Sequence, residues 1–260
     1  MNKSRIEWCD YTYNPVTGCK AMCPYCYARK IARRFAFRFD GYGQDTHSIG
    51  KKCEKNELHE IDGTEGSPYP YGFDPTFHRY RLDEPQKIKK PQNIFVCSMA
   101  DLFGEWVPDE WIEQVFEACE KAPWHKYLFL TKNPSRYHDL AEKELLPCRD
   151  NFWYGVTTIT EKDLKHVFPM IGYNYFLSIE PYQGYIGIDE WIIDSSLKPI
   201  YKWIICGLET GPRADKITPS KSDLKNDIVE TCQMKNIPLF MKNNLAPVWG
   251  EPLIQEYPWR

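Results

Sequence analysis

Apolar residues in this chain gather into short continuous runs, with stretches of helical spacing between them. The runs are NIFVCSM (93–99), KYLFLT (126–131), FWYGVTT (152–158), YFLSIE (175–180), KWIICG (202–207) and IPLFMK (237–242). Runs of four to six apolar residues without strict alternation predict strands covered on both faces, the habit of parallel sheets. Between them, PDEWIEQVFEACEKA (108–122) opens on Pro and acids and sets Trp111, Ile112, Val115, Phe116 and Cys119 at helical spacing. SKSDLKNDIVETCQMKN (220–236) repeats the pattern with Leu224, Ile228, Val229 and Cys232. Upstream, IEWCDYTYNP (6–15) predicts one further strand, leading into a cysteine-bearing loop.

Strand and helix alternate, which predicts an α/β fold of repeated βα units: a partial or closed parallel (β/α) barrel, in one domain over 1–260. Residues 40–92 break the repeat, being rich in Gly, Pro and charge, and are expected to form an insertion over the barrel mouth, part of it a lid or substrate loop. The predicted strands end in polar residues: Ser98 and Asp101, Thr131 and Asn133, Thr157 and Thr158, Glu180, and Gly207 to Thr210. In βα barrels the ligand site lies at the carboxyl ends of the strands. These groups, with the cysteine loop after the first strand, are therefore expected at one mouth.

The chain has 260 residues, 42% hydrophobic and 27% charged, a globular composition that suits neither a disordered tail nor a membrane protein. No apolar run reaches the length of a membrane span and MNKSRIEWCD has no signal-peptide core, so a cytoplasmic protein without a membrane partner is expected. The net charge of −3 predicts no general affinity for polyanions, yet RKIARRFAFR (29–38) carries Arg29, Lys30, Arg33, Arg34 and Arg38 and no acid. On a helix this is a basic stripe that could meet phosphate, or a solvated face. Ten cysteines in a chain of this size and setting argue against a disulfide framework. Seven of them share no spacing, and most of these read as small buried hydrophobes.

The other three stand in NPVTGCKAMCPYCYARK as Cys19, Cys23 and Cys26, in the pattern C-x3-C-x2-C. Structural zinc wants four ligands, and no second knuckle exists; Cys9, His47, Cys53 and His59 are the nearest fourth candidates, none at a familiar spacing. Three thiolates suit a [4Fe-4S] cluster whose fourth iron stays open to bind something else.

C-x3-C-x2-C on a loop after a first barrel strand resembles the signature of the radical S-adenosylmethionine (SAM) superfamily. Read with FDPTFHRYRLDEPQKIKKPQNIFVCSMADLF, LFLTKNPSR, FLSIEP and ICGLETGPRA, nearly the whole chain resembles a phage-associated, largely uncharacterised family described as radical-SAM-like. The resemblance implies that Cys19, Cys23 and Cys26 hold the cluster, that its open iron binds SAM, and that one electron cleaves SAM to a 5′-deoxyadenosyl radical. It puts Tyr25 beside the adenine, and Ser98 and Asp101 where the superfamily contacts the SAM amino group, without the usual glycines. Thr157 and Thr158 fall where ribose or carboxylate would be held, and Glu180 at the mouth. Gly207 would allow close backbone approach, with Glu209 and Arg213 beside it. Lys132, Asn133, Lys242 and Asn243 read as lining for an anionic substrate, and Cys97 and Cys206 as buried thiols near strand ends.

Three functions stay open. The first is a radical SAM enzyme supplied with electrons by a flavodoxin or ferredoxin, abstracting hydrogen from an unknown substrate, with a nucleotide or nucleic acid as the suggested class. The second is a zinc- or cluster-stabilised nucleic-acid-binding module without catalysis. The third is a barrel of other activity.

Overall fold

The computed structural model describes residues 1–36, 56–64, 67–165, 170–192, 198–210 and 218–260. By contact density the chain divides into two compact units, Met1–Ser4 with Cys9–Tyr127, and Arg5–Trp8 with Leu128–Arg260.

In the first unit β1 (Asn2–Lys3) pairs antiparallel with β2 (Tyr11–Tyr13), and β2 pairs parallel with β6 (Asn93–Val96). A second, three-stranded sheet joins β3 (Val16–Thr17), β5 (Thr76–His78) and β4 (His59–Ile61) in that order. α1 (Tyr27–Phe35) follows the cysteine loop, and α3 (Asp109–Glu120) comes after a short α2 (Glu84–Lys87). The expected long first strand is interrupted: β2 is three residues, and the chain leaves it at Asn14–Pro15 to enter the second sheet. A proline has no N–H for the ladder, which ends β2 there. The described part of the segment read as an insertion supplies β4, β5 and α2. Three-residue strands carry too little periodicity to be read from sequence.

α3 is the helix that its spacing predicts. Pro108 stands at its N-cap, Asp109 and Glu110 fill the first turn, and Trp111, Ile112, Val115, Phe116 and Cys119 are buried. Each large apolar side chain so buried contributes about 1.5–3 kcal/mol.

β7 (Lys126–Thr131) runs across the boundary between the units. In the second unit β8 (Phe152–Thr157), β9 (Asn174–Ile179), β10 (Trp203–Cys206) and β11 (Leu239–Met241) pair parallel in that order. β8 is buried along its whole length, as its unbroken apolar run requires. α4 (Ser135–Glu142) and α5 (Glu161–Leu164) follow β7 and β8. The free edge of β11 is covered by the C-terminal segment: Met241 N–H donates to Ile254 O at 2.7 Å and Glu256 N–H to Leu239 O at 2.9 Å.

The sheet is therefore mixed and mostly parallel, as the apolar runs predict, and the strand order in each unit is linear, which fits the partial barrel expected and not the closed one. The one departure is β1, which is antiparallel. The short connection from β1 to β2 permits only an antiparallel return.

Candidate functional site

In the first unit the site is built from the turn after β2. Asn14 Oδ1 accepts from the Met99 N–H at 3.0 Å and from the Ser98 hydroxyl at 3.2 Å, which ties this turn to the end of β6. Arg81 Nη1 donates to the Asn14 carbonyl at 2.9 Å. Gly18 follows with φ +85°, and its missing Cβ would lie 2.2 Å from the Asp74 carbonyl oxygen. Only glycine lets the chain pass there. Gly18 N–H then donates to Met99 O at 2.9 Å and Cys19 N–H to Phe73 O at 3.1 Å, so the backbone of the first cysteine is held from two sides.

Arg29 completes the seat. It belongs to the basic run but turns inward, donating from Nη2 to Cys19 O at 2.9 Å with its guanidinium 4.8 Å above the Phe73 ring. Cys26 caps α1, its sulfur accepting the Arg29 N–H at 3.3 Å. Cys19 Sγ accepts the Ala21 N–H at 3.4 Å, and Cys26 N–H donates to Cys23 O at 3.1 Å. Beneath the loop Ala28, Ala32, Phe73 and Met99 form an apolar floor, against which Cys19 and Cys26 pack.

Burial pushes the Cys19 thiol up to about 12; the Ala21 N–H opposes this, while the negative charge of Asp101, Cys23 and Cys26 adds to it. Each of these three side chains therefore bears on the charge of Cys19. The three thiols are free, and among the described residues no three His, Cys, Asp or Glu side chains are grouped to hold a metal ion. In donor chemistry the loop fits an iron–sulfur cluster: three sulfurs, two already receiving backbone N–H bonds of the kind that tune such clusters. Of the fourth ligands considered for zinc, Cys9 donates to Ser4 Oγ at 3.2 Å. His59 stacks on Tyr71 at 3.8 Å, with Nε2 3.5 Å from Asp74.

Asp101 is buried, and one of its oxygens accepts the Phe103 N–H at 3.2 Å, so it shapes a turn well before α3 and does not cap that helix. Tyr25 is half-buried, and Tyr27 donates to Ser98 O, two residues past β6, at 2.7 Å. Cys97 is buried at φ +57°, and burial raises its thiol to about 12.

The second unit carries the remaining residues. Glu180 follows β9, accepting from Ser178 Oγ at 3.3 Å and from Lys242 Nζ at 2.6 Å. Gly207 makes this ion pair reachable: a Cβ there would lie 2.6 Å from Lys242 Cδ, so the lysine stem crosses over bare backbone. Burial alone would lower the Lys242 pKa, but the charge and hydrogen bond of Glu180 outweigh it and leave the pKa raised. Lys242 is thus spent on Glu180 and does not stand free for an anionic ligand. Thr158 is fully buried and its hydroxyl has no partner, whereas its N–H donates to Ser178 O at 2.9 Å. Thr157 is buried at the end of β8. Asn244 brackets Leu208, accepting its N–H at 3.1 Å and donating to its carbonyl at 2.8 Å. Glu209 is described; Arg213, His47 and Cys53 lie outside the described residues.

Asn14, Phe73 and the inward turn of Arg29, which hold the cysteine loop, are not among the residues that the sequence pattern singles out. Gly18, directly before Cys19, was the available signal. Nothing local marks Asn14 or Phe73, whose partners lie far along the chain.

A family model described as "Protein of unknown function (DUF5131)" matches residues 3–252. No curated protein matches the chain. Solved structures of spore photoproduct lyase are similar in fold. A double mutant with bound AdoMet and dinucleoside spore photoproduct shows 12% identity and a TM-score of 0.47 over 83% of this chain and 61% of that one. The enzyme complexed with dinucleoside spore photoproduct shows 12% identity and a TM-score of 0.44 over 79% and 57%. The chain thus spans about three fifths of the length of these structures.

Proposed function

The chain belongs to the DUF5131 family of proteins of unknown function, and on that premise we propose that it is a radical SAM enzyme acting on a nucleotide or nucleic acid. The observation that supports this reading is the seat of the cysteine loop: three thiols on eight residues of chain, one with its backbone fixed by Phe73 and Arg29 and its charge felt by Asp101, and one capping α1. Cys19, Cys23 and Cys26 would hold a [4Fe-4S] cluster, with SAM at the iron that no cysteine reaches. When bound, that pair supplies a 5′-deoxyadenosyl radical, formed with methionine when one electron from a flavodoxin or ferredoxin breaks the sulfonium C–S bond.

The chain's own residues hold and orient. Asp101 would accept from the SAM ammonium, a charge-assisted bond, beside Ser98; Tyr25 would pack on the adenine. Thr158 Oγ1, buried without a partner, is a hydroxyl whose desolvation a ligand contact would offset, and Thr157 stands next to it. Glu180, neutralised by Lys242, suits a ligand hydroxyl better than a cation. Gly207, Glu209 and Arg213 are further proposed contacts.

The test is anaerobic reconstitution with iron and sulfide, then reduction with SAM and assay for 5′-deoxyadenosine. Its formation, lost in Cys23→Ala together with cluster absorbance, is the expected result. Zinc bound in place of iron, or a full cluster that leaves SAM intact, would replace this reading by the non-catalytic binding module.

A further inference from the structure

α1 turns two unlike faces outward and inward. Ala28 and Ala32 face the floor of Phe73 and Met99. At 100° per residue, Tyr27, Lys30, Arg33 and Arg34 lie on the opposite arc, and all four are exposed. The helix macrodipole accounts for Arg33 and Arg34 in the last turn. It accounts neither for Lys30 nor for the lack of any acidic residue in the helix. Ordinary solvated helices lace such a face with i,i+4 ion pairs. Here Lys30 and Arg34, four apart, have no carboxylate partner among the described residues, in a chain whose net charge is −3. Tyr27, 46% exposed, holds its ring beside this stripe by its bond to Ser98 O, and Met22, 68% exposed, stands on the loop before it.

We propose that this face of α1 is a phosphate track for single-stranded nucleic acid, with Lys30 and Arg34 on the backbone and Tyr27 as a stacking platform. The complementarity is of charge, and the ring favours unpaired bases, whose faces are open. Cys26 caps the same helix, so Lys30 and Arg34 stand about 6 and 12 Å along the axis from it. A strand on the track would carry its bases past the cysteine loop. The inference rests on the reading above for what happens at that loop, and names the class of substrate brought to it.

The experiment is anisotropy of a fluorescein-labelled mixed-sequence single-stranded 12-mer with the full chain, titrated at several salt concentrations. It is run beside Lys30→Gln/Arg34→Gln and Tyr27→Ala, with circular dichroism to check folding. Wild type is expected to bind with a negative salt slope, and the double variant to lose about 1.4 of that slope, about 0.7 per phosphate contact. Tyr27→Ala should weaken binding with the slope kept. Absence of binding at low salt, an unchanged slope in the folded double variant, or tighter binding of the same sequence as duplex would each overturn the proposal. The assay needs neither cluster nor SAM. Binding without SAM cleavage would sink only the catalytic reading; cleavage without binding would sink only this one.

Discussion

A single methyl group at Gly18 decides whether the first cysteine keeps its seat. Gly18→Ala would force a left-handed φ of +85° on a residue whose Cβ meets Asp74 backbone at 2.2 Å. A loss of at least about 2 kcal/mol is expected, read from urea midpoints, with iron uptake falling in parallel. At Glu180 the charge is half-hidden, with 22% of its side chain exposed against 17% for Lys242. Lys242→Met should therefore cost about 1–3 kcal/mol, because the carboxylate is left in a partly desolvated place without its ammonium. Glu180→Gln/Lys242→Met should recover part of that loss, and failure to recover would mean that the lysine stem, not its charge, matters. The three cysteines were legible because their spacing is a local fact. The ion pair was not, since each partner taken alone reads as lining for a ligand.

At the scale of elements, the long helical pattern of residues 220–236 folds as three pieces: α6 (Lys221–Asp223), a π-helical turn over Leu224–Val229 and α7 (Glu230–Lys235). Asp227 lies in the π turn, buried at 2% exposure, and accepts the N–H of Ile186 at 2.7 Å and of Ile188 at 3.0 Å, with Tyr182 OH at 3.4 Å. Its carboxyl pKa is raised by burial, against the pull of these donors. The wider turn aims this side chain at the loop after β9, a reason for the helix to depart from α geometry that its apolar spacing does not record. Asp227→Leu should leave those N–H groups unpaired, cost about 2–4 kcal/mol, and open the loop to chymotrypsin at exposed Tyr185. Unchanged proteolysis there would show that the carboxylate does not hold the loop. α3, by contrast, was legible to its ends, because its start signals and apolar face agree with its packing.

Across the whole molecule, acid sensitivity should come from buried histidines. Burial, with the charge of Arg81 adding to it, lowers His78 to about 3. His125 is lowered too, by burial, although bonds to Pro85 and Ile88 carbonyls oppose the shift. A histidine titrates near 6.5 when unfolded, so below that pH the unfolded chain takes up a proton that the native chain refuses. Stability from His78 is therefore complete above about 6.5, falls by up to about 1.4 kcal/mol per pH unit toward 3, and is flat below. Thermal melts between pH 4 and 7 should show this slope, reduced in His78→Gln; equal slopes in both proteins would refute the assignment. The described cysteines are free and no described helix is long and apolar enough to cross a membrane, so neither disulfides nor a helical span enter the stability of the described residues. The sequence by itself determined the buried strands, α3, and the cysteine loop with its basic helix, because each rests on the spacing of residues within a few turns of one another. Only the tertiary structure decided the antiparallel β1, the second sheet, the inward turn of Arg29, and the bonds of Asn14 to Met99 and Glu180 to Lys242. Those last partners are 85 and 62 positions apart, and their pairing depends on which strands lie side by side, which no local pattern encodes.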